Sequence, residues 1–118
     1  MEITSKITGK VIVIYIDGDL TTASSPEAGA EIDEILSDSV GNLIINVEKV
    51  NFIASTGLRI ILALGKRLKN DGAELVVCLM NSTTKSVFEL SGFSKLFRTF
   101  ETEEEPSKVS ETRARHIQ

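Results

Sequence analysis

The sequence predicts an α/β fold: one domain with a mixed β-sheet, in the order β-β-α-β-α-β-α-β, and helices packed on the sheet. Three observations predict it. Short β-branched runs at 11–16, 43–47 and 75–79 are bounded by turn residues, the pattern of buried strands. Apolar residues between them recur at helical spacing. The chain has 118 residues, which suits one domain and leaves little room for a two-domain enzyme with a cleft between its halves.

The elements follow in order. Residues 3–7 alternate weakly and read as an edge strand, and Thr8-Gly9-Lys10 reads as a turn. Residues 11–16 are continuously apolar, as in a strand covered on both faces. So short a connection makes this pair antiparallel. Asp17-Gly18-Asp19 ends the second strand. Ser25-Pro26 then reads as N-cap and first helical residue, with Ala28, Ile32, Ile35 and Leu36 forming one buried stripe. Gly41-Asn42 breaks the chain before a third strand at 43–47. A second helix is predicted over 56–70, closed by Asn70-Asp71-Gly72, and a fourth strand over 75–79. Residues 84–90 read as a short helix with Val87, Leu90 and Phe88 inward, and 97–100 as a brief fifth strand. Phe93 reads as core. After the first hairpin each strand–helix–strand crossover is expected to be right-handed and parallel.

Composition excludes several functions. The net charge of -4 and pI near 5.0 lack the basic footprint of a nucleic-acid binder. No apolar run approaches the roughly 18–20 residues of a membrane span, and the polar start is unlike a secretory signal, so no membrane insertion is expected. Cys78 has no second cysteine to pair with, which suits a cytoplasmic setting. One histidine, His116, and one cysteine do not make a transition-metal site. Residues 1–100 hold 12 acidic and 10 basic side chains, a net charge of -2. Residues 101–118 hold few apolar points and read as an acidic tail or a marginal C-terminal helix.

The informative stretch is Val50-Asn51-Phe52-Ile53-Ala54-Ser55-Thr56-Gly57-Leu58-Arg59, which leaves a strand and opens a helix. Ser55 or Thr56 is the natural N-cap. Gly57 in the first turn costs roughly 1 kcal/mol against alanine, which makes sense where something approaches the backbone closely. On the helix, Leu58, Ile61, Leu62, Gly65 and Leu68 share the side expected to face the sheet. Ile60 points nearly opposite and Leu64 lies at the edge, so both are expected in an exposed docking patch rimmed by Arg59 and Arg67.

Ser55-Thr56-Gly57-Leu58, after Phe52-Ile53 and an apolar strand, resembles the signature of the STAS domain family, which includes bacterial anti-sigma factor antagonists. Further likeness lies in Asp17-Gly18-Asp19-Leu20, in Lys66-Arg67-Leu68-Lys69, in residues 72–78, and in Val87-Phe88-Glu89-Leu90-Ser91-Gly92-Phe93. The likeness implies a STAS-like domain over residues 1–100. In antagonists of this family, the serine of an Asp-Ser-Ser/Thr-Gly-Leu motif is phosphorylated by a partner anti-sigma factor. Ser55 matches that serine, Thr56 is the second choice, and Ala54 stands in place of the family's aspartate.

The resemblance implies a non-enzymatic binding module without a cofactor. Unphosphorylated, it would bind an anti-sigma factor with serine kinase activity. Phosphorylated on Ser55, it would let go, and a serine phosphatase would reset it. The implied partner surface takes in Ala54, Ser55, Thr56, Gly57, Arg59, Ile60 and Leu64. The preceding loop adds Asp19, Thr21 and Thr22.

Two other readings stand beside it. One is a STAS subunit of a transporter or signalling complex without phosphorylation. The other is a two-component receiver domain, whose length and α/β character fit. A receiver needs an acceptor aspartate after its third strand, where this chain has Asn46, Val47 and Glu48. Asp17 and Asp19 could also bind a metal or act as acid and base, although Asp-Gly-Asp is more often simply a turn. Ser55 has no evident histidine base, so a Ser-His-Asp hydrolase is not expected. Cys78 reads as inert core.

Overall fold

The computed structural model describes residues 1–36 and 41–101. The strands are β1 (Glu2–Thr8), β2 (Val11–Asp17), β3 (Asn42–Lys49), β4 (Leu75–Cys78) and β5 (Arg98–Phe100). The helices are α1 (Ser25–Leu36), α2 (Ser55–Asn70) and α3 (Ser82–Ser91), with a 3-10 turn at Phe93–Lys95. The tail or terminal helix expected within 101–118 lies, beyond Glu101, outside the described residues.

The five strands lie side by side in sequence order. β1 pairs antiparallel with β2, and every later pair is parallel. This order departs from a receiver-type doubly wound sheet, where the chain reverses direction across the sheet. Three crossovers of the right hand expected between parallel strands, all stepping the same way across the sheet, put their helices on one face. The packing agrees. Ile12, Leu43 and Leu75 form one row across the sheet, and Ile14, Ile45 and Val77 the next. Both rows join Ala28, Ile32 and Leu36 of α1, Leu58, Ile61 and Leu68 of α2, and Phe88 of α3 in one core. The alternate residues Val11, Val13, Ile44, Val76 and Cys78 form a second buried cluster on the opposite face. The continuous apolar pattern of β2 thus reflects burial on both faces, and Cys78 is buried in the second cluster.

Several element ends differ from expectation. β4 stops at Cys78, because Leu79 takes a left-handed φ of 60° while its N–H still donates to Phe100 O. α3 begins earlier than expected, because the Asn81 side chain caps it by accepting the Thr84 N–H at 2.8 Å. That start sets the rotation of the helix. Thr84 and Phe88 face inward, Val87 is half-buried, and Leu90 is 89% exposed instead of joining the core. Phe93 packs on the core edge-on between Phe88 and Phe97. The three-residue β5 is tied to the start of β4 by a two-pronged ion pair, Arg98 to Glu74, with both contacts at 2.6 Å.

α2 carries a glycine on its buried side. A Cβ on Gly65 would sit 2.1 Å from Phe97 Cε1. The helix therefore approaches the ring more closely than any other residue permits. Gly65→Ala gains about 1 kcal/mol of helix propensity, but the overlap is far too large for that gain to win. We expect a net loss of about 1–3 kcal/mol in urea unfolding, partly restored when Phe97→Leu is added.

Candidate functional site

β2 and β3 run parallel, so the segments leaving them emerge at the same edge of the sheet. The chain stitches the two together. Gly18 N–H donates to Lys49 O at 3.1 Å, Leu20 N–H to Phe52 O at 3.0 Å, and Ala54 N–H to Leu20 O at 2.7 Å. The last two bonds make an isolated parallel bridge between Leu20 and Ile53, both buried. The Asp19 carboxylate accepts the Asn51 N–H at 3.1 Å. From beneath, the Asn81 amide donates to Val50 O at 3.1 Å, and the buried Thr84 hydroxyl reaches the same oxygen at 3.4 Å. The segment before Ser55 is thus held by polar bonds from both β2 and α3. Sequence reading did not find Asn81 or Thr84, whose signal was an Asn three residues before a Thr at a helix start.

The loop from β2 enters α1 through a reciprocal cap. The Thr21 hydroxyl accepts the Ser24 N–H at 3.0 Å, and the Ser24 hydroxyl accepts the Thr21 N–H at 2.9 Å. Ser24 Oγ also donates to Asp19 O at 2.7 Å, and Ser25 Oγ donates to Thr21 O at 2.6 Å. The expected N-cap, Ser25, is instead fully buried inside the helix, and Thr21 performs the capping. Of the three loop candidates, Asp19 and Thr21 hold the backbone, while Thr22 lies exposed beside them. Asp17 lies 4.0 Å from Lys49. Among the described residues no cluster of three or more metal-ligating side chains forms.

The start of α2 is different. The N-cap is Ala54, extended at φ -77° and ψ 165°, and it supplies no side-chain bond. Neither Ser55 nor Thr56 is the cap expected from the sequence. Ala54 holds the cap position because its N–H is fixed on Leu20 O and its carbonyl accepts the Leu58 N–H at 3.1 Å. Ser55 becomes the first helical residue. It is exposed, and its hydroxyl makes no hydrogen bond with the described residues. Thr56 is half-buried.

Gly57 is buried against the bridge. A Cβ there would lie 3.0 Å from Leu20 Cβ, 3.1 Å from Ile53 Cγ2 and 3.1 Å from Ser25 Oγ. The close approach expected of this glycine is therefore to the chain itself, and Gly57 belongs to the support of the site.

The expected patch on α2 is corrected in part. Leu64 is 4% exposed and belongs to the core, and Ile60 is half-buried against Gly29 of α1. Both move inward because α2 packs against α1 as well as the sheet, and a helix gripped on two sides buries a wider stripe. What remains is a groove of about 650 Å³ between the helices, lined by Pro26, Gly29, Thr56, Ile60 and Ala63. Arg67 closes one end through an ion pair with Asp33, and Arg59 stays exposed.

Sequence reading missed Phe52 as a surface residue. The residue is 49% exposed while its carbonyl is fixed by Leu20. Neighbouring side chains in extended backbone point opposite ways, so burial of Ile53 turns Phe52 outward. A phenylalanine beside a buried isoleucine in a short connection was the available signal.

These geometries separate structural hydroxyls from an unused one. Thr21→Ala should cost about 1 kcal/mol of stability through the lost cap. Ser55→Ala should change stability by less than about 0.5 kcal/mol. Chemical denaturation of the two variants beside the parent chain measures both.

Comparison with known proteins places these features in a family. The model of the STAS domain matches residues 2–106. The anti-sigma-F factor antagonist RsfB of Mycobacterium tuberculosis is 28% identical over 92 residues, which cover 78% of this chain and 75% of RsfB. The crystal structure of an anti-sigma factor antagonist from Mycobacterium paratuberculosis superposes with a TM-score of 0.85 at 22% identity, covering 93% of each chain. The Bacillus cell fate determinant SpoIIAA, solved in its phosphorylated form, superposes with a TM-score of 0.67 at 22% identity, covering 91% of this chain and 97% of that one. With one family model running from the first strand past the last, and with the same fold in these solved structures, the chain belongs to the STAS domain family.

Proposed function

We propose that this protein is an anti-sigma factor antagonist: a binding module that sequesters an anti-sigma factor and is released when Ser55 is phosphorylated. The observation that carries this reading is the Ser55 hydroxyl, exposed and unused at the first position of α2 on a segment held from two sides. Relatives named as anti-sigma factor antagonists support the partner class, and a phosphorylated relative supports the modification. In this reading the partner is itself the serine kinase, and a serine phosphatase resets the switch in the cytoplasm.

The physics favours release over unfolding. A phosphate adds about −1.5 to −2 charges at neutral pH. Helix starts carry partial positive charge and accept such a group. The loss falls on the docked partner, which would have to bury the phosphate against its own surface. An unpaired buried charge costs several kcal/mol, and about 1.4 kcal/mol is tenfold in affinity. Phe52 supplies the complementary part: a half-exposed aromatic on a fixed backbone, the kind of anchor that dominates interfaces. The reading involves no catalysis by this chain. Of the charged groups around the site, Asp19 is engaged on the Asn51 N–H and Arg67 on Asp33.

The test is binding to the anti-sigma factor captured from the native cell extract. Ser55→Asp should abolish binding while the domain stays folded. Ser55→Ala should bind and persist in the presence of ATP, when the parent chain is released. Equal binding by all three proteins would end the switch reading, and capture dominated by transporter subunits would favour the other STAS role. Phe52→Ala should lower affinity about tenfold or more with an unchanged melting temperature, as read by titration calorimetry.

A further inference from the structure

We infer that Arg59 is the intramolecular receptor for a phosphate on Ser55: the modified side chain is captured by the guanidinium one turn along α2. The inference rests on the reading of Ser55 as the modified residue and adds how the released state is held.

Ser55 and Arg59 stand four residues apart on a continuous helix, and both are exposed. Side chains at that spacing lie one above the other, roughly 5–6 Å apart at Cβ. They share the solvent stripe of α2 with Ala63 and Lys66. The remaining helical neighbours of Arg59 are Thr56, Leu62 and Ala63, and none carries a negative charge. The first turn of α2 has no acidic residue, and position 54 holds alanine.

The other arginines among the described residues are already paired. Arg67 holds Asp33 and Arg98 holds Glu74. Arg59 makes no ion pair or hydrogen bond with the described residues. It is thus an uncommitted guanidinium with two helical neighbours able to become anionic, Ser55 and, as the second hydroxyl, Thr56. A planar guanidinium presents paired N–H groups that match two phosphate oxygens, which an ammonium does not.

The consequence is a two-way use of one side chain. With Ser55 unmodified, Arg59 is exposed on α2 and open to a carboxylate on the partner. With Ser55 phosphorylated, the phosphate occupies it. Release then combines a new negative charge with the withdrawal of a positive one.

The experiment installs phosphoserine at position 55 during translation, without kinase or partner, in the parent chain and in Arg59→Gln and Arg59→Lys. Urea unfolding should give an unfolding constant roughly three- to tenfold smaller on phosphorylation of the parent. Most of that gain should be lost in Arg59→Gln, which keeps only what the helix start contributes, and more of it should survive in Arg59→Lys. In ¹⁵N-labelled protein the Arg59 Nε–H signal should shift on phosphorylation, and the Arg67 and Arg98 signals should not. An unmoved Arg59 signal, or the same gain in Arg59→Gln, overturns the inference. Because no kinase or partner is present, that failure leaves the parent reading standing. Absence of Ser55 modification and of partner release in cells would sink the parent reading instead.

Discussion

The site depends on one constraint: the backbone bridge between Leu20 and Ile53. It extends the parallel pairing of β2 and β3 past the ends of both strands. Through it, the entrance to α1 and the entrance to α2 are bonded to each other. Leu20 O fixes Ala54 at the cap position, and burial of Ile53 turns Phe52 outward. Gly57 allows α2 to start close against this bridge. The sheet makes the arrangement possible because parallel strands end on the same side, where α/β proteins commonly place their binding residues.

Around this bridge the two helix starts divide their tasks. α1 is closed by the reciprocal Thr21–Ser24 cap, which uses both hydroxyls and part of the loop before them. α2 has no side-chain cap, because alanine occupies the position where asparagine, aspartate or serine would serve best. The missing cap is a loss of about 1 kcal/mol, small beside the burial of Leu58, Ile61, Leu64 and Leu68 that holds the helix in place. In exchange, the Ser55 hydroxyl stays free on a backbone held by hydrogen bonds from two sides. With the net charge of residues 1–100 at only -2, one phosphate there roughly doubles the charge of the domain.

The element order was legible because strand and helix patterns depend on neighbours in sequence. Leu43-Ile44-Ile45 and Leu75-Val76-Val77 announced buried strands, and Ala28, Ile32 and Leu36 announced the core stripe of α1. Side-chain facing was less legible wherever a distant contact set the rotation. Leu90 looked inward by spacing, but Asn81 and Phe88 turn α3 so that it faces water. Leu64 and Ile60 looked exposed because a single sheet-facing stripe was assumed for α2, and α1 grips its second side. At the site, Ser55, Thr56 and Gly57 stood out from the motif. Phe52 did not, because its exposure follows from the pairing of its neighbour.

By itself, the sequence determined a mixed α/β domain, the stretch that opens the second helix, and the serine at its centre. Periodicity, turn residues and a short motif are local, and local order is enough to read them. Tertiary structure alone decided that Ala54 rather than Ser55 is the cap, that Gly57 serves the support rather than a ligand, and that Arg59 stands free while Arg67 is paired. Each of these depends on a partner more than twenty residues away in the chain: Leu20 for Ala54 and Gly57, and Asp33 for Arg67. Only the folded sheet brings those partners within bonding distance.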